Sequence, residues 1–318
     1  EIYISSGLRY IPQELKEQQP SHLILVPLFI EKLYDKVWKG AEESGKASML
    51  RVMIKVSNAL LKIGIDIRRK LFRSVLDNFG GKLELVICGG APLNQEIIDF
   101  FTAVGITILN GYGITECSPL ISCNRNKYRK DGSVGMPIKD LEVRIKDPDA
   151  NGEGEICVKG PNVMLGYFKD PIATATVMDE DGFFMTGDYG RLDDEGWLYI
   201  TGRIKNIIIL SNGKNVYPEE IENELSRIPG VTEVIVYAGE SASNRKREAI
   251  VAEIFPDSEY IKSKGITDPQ KYFEDEVSKI NERMVSYKAV NVVKLREEEF
   301  VKNTSKKILR FEIDKSID

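Results

Sequence analysis

Four polar clusters follow one another along the chain: CGGAPL at 88–93, NGYGITECSP at 110–119, TGDYGRLDDEGWLYITGRIK at 186–205 and NTSKKILR at 303–310. Together they combine glycines, which bare the backbone N–H, with carboxylates, arginines and lysines. That combination suits a nucleotide phosphate and ribose. In NGYGITE, Gly111 and Gly113 let the backbone approach a flat ligand, Tyr112 offers a ring face, Thr115 a hydroxyl and Glu116 a carboxylate. Such a carboxylate suits Mg²⁺, which takes one or two protein oxygens beside those of substrate phosphates; a capped strand-to-helix turn explains the same residues. Asp188 and Arg203 flank a hairpin pattern, GRLDDEGWLYIT. At adjacent hairpin ends they would meet, either to bind ribose hydroxyls or as a structural salt bridge.

Composition narrows the chemistry. With 318 residues the chain is long enough for two domains, each with its own core, and its formal net charge of -5 argues against a nucleic-acid binder. Cys88, Cys117, Cys123 and Cys157 show no CxxC spacing, so reduced thiols and a cytoplasmic location are expected. No apolar run approaches the ~20 residues of a membrane span. His22 is the sole histidine, set in the apolar stretch PSHLILVPLFI. A multi-histidine metal site is excluded and a Ser-His-Asp triad would depend on His22. Proton transfer and charge stabilisation fall to Asp, Glu, Lys, Arg or the backbone.

The elements that must position these groups divide into three regions. Residues 1–130 read as an α/β subdomain, with LELVICGG (83–90), a helix at 94–105 and ITILNGYG (106–113) forming strand, helix, strand of a parallel sheet. Ligands gather at the carboxyl ends of such strands, where Gly89, Gly90 and Ala91 and the Gly111-Tyr112-Gly113 turn fall. Residues 131–203 read as short antiparallel strands, a small β-barrel-like subdomain. Residues 204–318 read as a compact α+β domain with a helix opened by Pro218, a half-buried strand at 231–240 and a helix at 268–285. Between Arg51 and Arg73 seven cations face one acid, Asp66, on an expected amphipathic helix. A solvated face, an anionic membrane surface and the phosphates of a large cofactor are the three readings of that stretch.

Taken in order, GGAPL, NGYGITECSP, GSVGMP, GEGEICVKGPNVMLGYFKDP, TGD, GRIKNIII, SNGKNVYPEEIE and KKILR resemble the adenylate-forming superfamily. The resemblance is strongest to its AMP-forming acyl-CoA synthetases of the long-chain fatty-acid type. It covers nearly the whole chain. It implies the carboxyl-terminal part of a large AMP-binding domain (1–203) and a mobile α+β domain (204–318). It also implies ATP, Mg²⁺ and coenzyme A as partners of a fatty acid in a two-step ligation. Gly89, Gly90 and Ala91 would line the adenine with Tyr112 stacked on it. Thr115 would meet the acyl-adenylate phosphate, Glu116 would hold Mg²⁺, and Asp188 with Arg203 would serve the ribose. Lys205 matches the hinge, Gly213 the loop of the thioester step and Lys307 the catalytic lysine.

Two departures stand out. The family's usual glycine before its catalytic lysine is Lys306 here, so the role falls on Lys306 or Lys307, and the register of Ile308 and Arg310 favours Lys307. The Ser/Thr/Gly-rich loop that grips the β- and γ-phosphates is not in the sequence, and the chain is expected to be a carboxyl-terminal portion that does not adenylate efficiently alone. A ligase that loads a carrier protein and a non-catalytic nucleotide-binding regulatory module are the alternatives.

Overall fold

The computed structural model describes residues 1–7, 9–91, 93–239, 249–303 and 308–316. They form two compact units, residues 1–186 with 191–200, and 187–190 with 201–318.

The first unit opens with α1 (Ile11–Gln18), β1 (His22–Leu25), α2 (Pro27–Glu43), α3 (Ala47–Lys62), α4 (Arg68–Leu71) and α5 (Arg73–Leu76). Next come β2 (Leu85–Gly89), α6 (Gln95–Val104), β3 (Thr107–Gly113), β4 (Leu120–Cys123) and β5 (Met136–Pro137). The strands lie in the order β1-β2-β3-β4-β5. The first three are parallel, β3 and β4 antiparallel, and Gly89 stands in register with Gly111. Helix α6 starts where the Asn94 side chain accepts the Glu96 N–H (2.9 Å) and stops at Gly105, whose φ of 95° only glycine adopts cheaply. Its apolar stripe packs Phe100, Phe101 and Val104 with Ile30, Phe72, Phe79 and Leu83. On the other face of the sheet Ile24 is 82% exposed and Ile87 41%.

The basic stretch is not one helix. It breaks after Lys62 into α3, α4 and α5, and two of its cations are tied to the backbone. Arg68 donates to Asp66 and to the Thr102 carbonyl (2.9 Å), and Arg69 to the Leu83 and Gly81 carbonyls (both 2.8 Å). These bonds satisfy carbonyls at helix and turn ends, a structural duty that charge counting does not reveal.

The chain continues through β6 (Glu142–Lys146), β7 (Gly154–Lys159), α7 (Pro171–Val177), β8 (Phe184–Leu192) and β9 (Leu198–Arg203). These strands form a four-stranded sheet in consecutive order, with β6 and β7 antiparallel. Its core joins Ile156, Val158, Phe184 and Leu198 to Ile121 and Tyr112.

The second unit carries the hairpin β10 (Ile208–Ile209) and β11 (Asn215–Val216), α8 (Pro218–Leu225), β12 (Val231–Gly239) and β13 (Ala249–Pro256). It ends with α9 (Ser258–Ser263), α10 (Pro269–Asn281) and β14 (Val292–Leu295). Pro218 opens α8 with Glu219 and Glu220 in its first turn, as the helix dipole favours. Strand β12 departs from the half-buried expectation: Val236 faces the core of Ile221, Leu225 and Phe273, and Ile235 and Tyr237 face a second cluster with Val251 and Phe300. Helix α10 is shorter than 268–285. It begins after the Asp268 cap and ends at Asn281, whose side chain bonds both the N–H and the carbonyl of Val290 (2.9 Å each).

Glu222 on α8 is buried against Arg310, Glu219 and the Val236 N–H, and burial outweighs the opposing guanidinium, pushing its carboxyl up to about 7. The folded state therefore binds a proton that the unfolded chain releases. This group's stabilisation is full below its ordinary value of 4.5 and is lost as pH rises to about 7. Glu222→Gln should flatten the fall in thermal midpoint across that window; an unchanged slope in the variant would reject the assignment.

Candidate functional site

Because β2 and β3 are parallel, their carboxyl ends fall together, and both end in glycine. A Cβ on Gly89 would lie 3.1 Å from the Gly111 carbonyl oxygen. At Gly113 it would lie 2.0 Å from the Pro119 carbonyl oxygen, which accepts the Ile114 N–H (2.8 Å). Gly113 is thus required by the chain's own return. Gly90 differs: its φ is 92° and nothing lies within 4 Å of the added Cβ, so this turn leaves open space beside exposed Ala91. Tyr112 is 7% exposed, its ring packed with Cys117, Ile121 and Leu198.

Past β3, Thr115 and Glu116 lie on a single 3₁₀ turn, Thr115–Cys117, with the Thr115 side exposed. The turn is held by residues that the sequence reading assigned no role. Tyr167 Oη donates to Glu116 Oε1 (3.1 Å), the Met164 N–H to the Glu116 carbonyl (2.7 Å), and Asn162 Nδ2 to the Cys117 and Leu120 carbonyls (2.8 Å each). All three lie in GPNVMLGYF, a motif visible in the sequence but without a spacing that pairs it with Glu116. Among the described residues no group of three or more His, Cys, Asp or Glu converges to hold a metal. A lone carboxylate such as Glu116 fits Mg²⁺, which keeps water and phosphate oxygens for most of its shell.

In the second unit Asp188 and Arg203 meet, with Arg203 Nε 2.8 Å from Asp188 Oδ1. The Asp188 side chain is buried and that of Arg203 is half exposed, so one partner is fixed and the other can turn toward solvent. Beside them Tyr189 stacks on Tyr217 at 5.1 Å. Lys205 is exposed on the 3₁₀ turn Ile204–Asn206. Gly213 turns the β10–β11 hairpin at φ 77° with open space at its Cβ. Lys306 and Lys307 lie outside the described residues.

Three of the four cysteines are buried. Burial pushes the Cys88 and Cys117 thiols up to about 12 and Cys157 to about 11, which leaves them protonated and unreactive at neutral pH. His22 is exposed on β1 and shares a contact with Ser21 Oγ (2.9 Å).

Residues 5–168, just over half of the 318, match the family model described as AMP-binding enzyme. The chain belongs to the AMP-binding enzyme family. This AMP-binding chain is 34% identical to long-chain-fatty-acid–CoA ligase 5 of Rattus norvegicus over 273 residues, 82% of this chain and 39% of that protein. Among solved structures, ATP-bound MatB from Rhodopseudomonas palustris is 26% identical with a TM-score of 0.65, covering 93% of this chain and 50% of that one. The o-succinylbenzoate CoA synthetase of Bacillus subtilis, bound to its acyl-adenylate, shares the fold at 22% identity and a TM-score of 0.70, covering 96% and 53%. The AMP-binding chain therefore spans about half or less of the proteins it matches. The α/β architecture expected from its motifs is the architecture of those structures.

The two glycine turns of this AMP-binding chain separate by experiment. Gly113→Ala should cost about 1–3 kcal/mol through overpacking against Pro119. Gly90→Ala should cost ~1 kcal/mol, from its φ alone. Denaturant unfolding of the two variants checks the order; equal losses would reject the close contact at Gly113.

Proposed function

We propose that this chain belongs to an AMP-forming acyl-CoA synthetase acting on long-chain fatty acids. The observation that carries the reading is the placement of Thr115 and Glu116 directly past the carboxyl end of β3, beside the open Gly90 turn at the end of β2. The curated relative's name supplies the substrate class. In this reading Gly89, Gly90, Ala91, Gly111 and Tyr112 serve the adenine, Thr115 the α-phosphate, and Asp188 with Arg203 the ribose. Glu116, which accepts from Tyr167, would hold Mg²⁺, which when bound would neutralise phosphate charge.

The first step joins two anions. A fatty-acid carboxylate oxygen attacks the α-phosphorus of ATP, the bond from that phosphorus to the β-bridging oxygen breaks, and pyrophosphate leaves. Lys307 donates hydrogen bonds to carboxylate and phosphate oxygens as charge builds, so catalysis is positioning and electrostatics, without a covalent enzyme intermediate. In the second step the coenzyme A sulfur attacks the acyl carbonyl, the thiol proton passes to solvent, and AMP leaves with the electron pair of the broken acyl–oxygen bond. Lys205 is the pivot that switches between steps, and Gly213 keeps the thiol path free of a side chain.

The sequence contains no Ser/Thr/Gly-rich phosphate loop. Fatty-acid-dependent exchange of labelled pyrophosphate into ATP is therefore expected from the full-length gene product and not from these 318 residues alone. Lys307→Ala should lower that exchange by at least ~100-fold. A full-length product without exchange at any acyl length would replace the synthetase with a nucleotide-binding regulatory module; acyl transfer to a carrier protein and not to coenzyme A would replace the acceptor.

Helix α3 favours peripheral contact with an anionic bilayer as an accompanying property. Met49, Val52, Val56 and Ile63 form an apolar stripe, each about half or more exposed, with Arg51, Lys55 and Lys62 along one flank. That is the pattern of an interfacial helix. No helix among the described residues is long and apolar enough to cross a membrane. Val52→Ser with Val56→Ser should reduce flotation of the full-length product with phosphatidylglycerol vesicles several-fold, as should Lys55→Gln with Lys62→Gln. Undiminished flotation would remove this face from the interaction.

A further inference from the structure

We propose that Arg310 and Lys302 are positioning residues that clamp onto strand β12 the two stems flanking residues 304–307, and that they act on the reaction through Lys307. The inference rests on the synthetase reading above, and concerns how its lysine is held. Lys302 and Ile308 form an antiparallel bridge, and the Leu309 N–H donates to the Val301 carbonyl (2.8 Å). The two flanking stems therefore pair with each other.

Each stem is then tied down by charge. On one side Lys302 Nζ pairs with Glu233 on β12 and with Glu299 (2.8 Å), while Glu233 also accepts the Phe300 N–H (3.2 Å). On the other, Arg310 Nη2 donates to both oxygens of Glu222 (2.6 and 2.8 Å), and Nη1 donates to the Val236 carbonyl (3.1 Å). Glu222 in turn accepts the Val236 N–H (2.7 Å).

The energetic logic lies in β12. It is an edge strand of the β12-β13-β14 sheet, and an edge carries backbone donors and acceptors that need partners. Glu222 and Arg310 occupy both polar groups of the Val236 peptide, so the guanidinium cannot shift without unpairing a backbone carbonyl and a half-buried carboxylate. A lysine side chain could not make the same planar fork and reach Val236 as well.

The clamp also touches the segment after the pivot. Glu219 Oε1 accepts from Asn206 Nδ2 (2.6 Å) and lies 3.6 Å from Arg310 Nη2. A cavity of about 220 Å³ lined by Lys205, Asn206, Val236, Arg310 and Lys315 lies against the same cluster. The anchor of the lysine segment and the residue next to Lys205 thus share one polar cluster.

The test uses the full-length gene product and reads its two half-reactions separately. Arg310→Gln should lower kcat of pyrophosphate exchange by about 100-fold, the scale of a ~1 Å misplacement, with the KM for ATP within about twofold. Arg310→Lys should recover part of the loss. Lys302→Gln, which leaves the Arg310 pair in place, should give the same split if Arg310→Gln does not fold. Thioester formation from supplied acyl-adenylate and coenzyme A should fall far less. Because the clamp acts through the lysine, Arg310→Gln added to Lys307→Ala should cost nothing more. An equal further loss in that background, an equal loss in both half-reactions, or normal exchange in Arg310→Gln would overturn the clamp. Exchange that survives Lys307→Ala would instead overturn the role of the lysine.

Discussion

Parallel pairing of β2 with β3 is the constraint on which the first unit turns. It brings the two strand ends together, and there the backbone approaches itself closely: a Cβ on Gly89 would be tight against the Gly111 carbonyl, and the Pro119 carbonyl leaves no room for one at Gly113. The pairing is paid for by α6, whose phenylalanines bury against one face of the sheet. The polar turn Thr115–Cys117 then has a single exit from β3, and Asn162, Met164 and Tyr167 lace it in place. Without the parallel register, the glycines and the carboxylate that the sequence separates would not share one end of a sheet.

In the second unit the comparable constraint is an edge. Strand β12 buries both faces, since Val236 serves one cluster and Ile235 and Tyr237 another, and it still has an open hydrogen-bonding side. Charged side chains engage that side at Val236. Glu222 and Arg310 saturate the Val236 peptide, and Glu233 takes Lys302. Partly buried ion pairs of this kind resist disruption, because removing one partner leaves the other charge unpaired. The same bonds that finish the edge hold the stems of the segment bearing the proposed catalytic lysine.

Much of this was legible from residues alone. The strand, helix, strand pattern around 83–113 was readable because its periodicity changes sharply between elements and because Asn94 and Gly105 mark the helix ends. The pairing of Asp188 with Arg203 followed from a short hairpin, whose ends must meet. Other features were hidden. Seven cations between Arg51 and Arg73 suggested one amphipathic helix, yet Arg68 and Arg69 spend their donors on carbonyls from distant turns. The strand at 231–240 resembled a half-buried one, because a pattern of alternation cannot report a second cluster assembled from residues 251 and 300.

By itself, the amino-acid order determined the family, the α/β class of the first region, the exclusion of a multi-histidine metal site and the roster of polar groups near each glycine turn. These are local or compositional properties, set by residue type and spacing. Tertiary structure decided which glycine is forced by packing and which by its φ, that Tyr167 supports Glu116, and that Glu222 and Arg310 meet at Val236 on the β12 edge from positions 88 residues apart. The physical reason is the same in each case. A contact between distant segments depends on sheet register and burial, and those emerge only when the elements have packed.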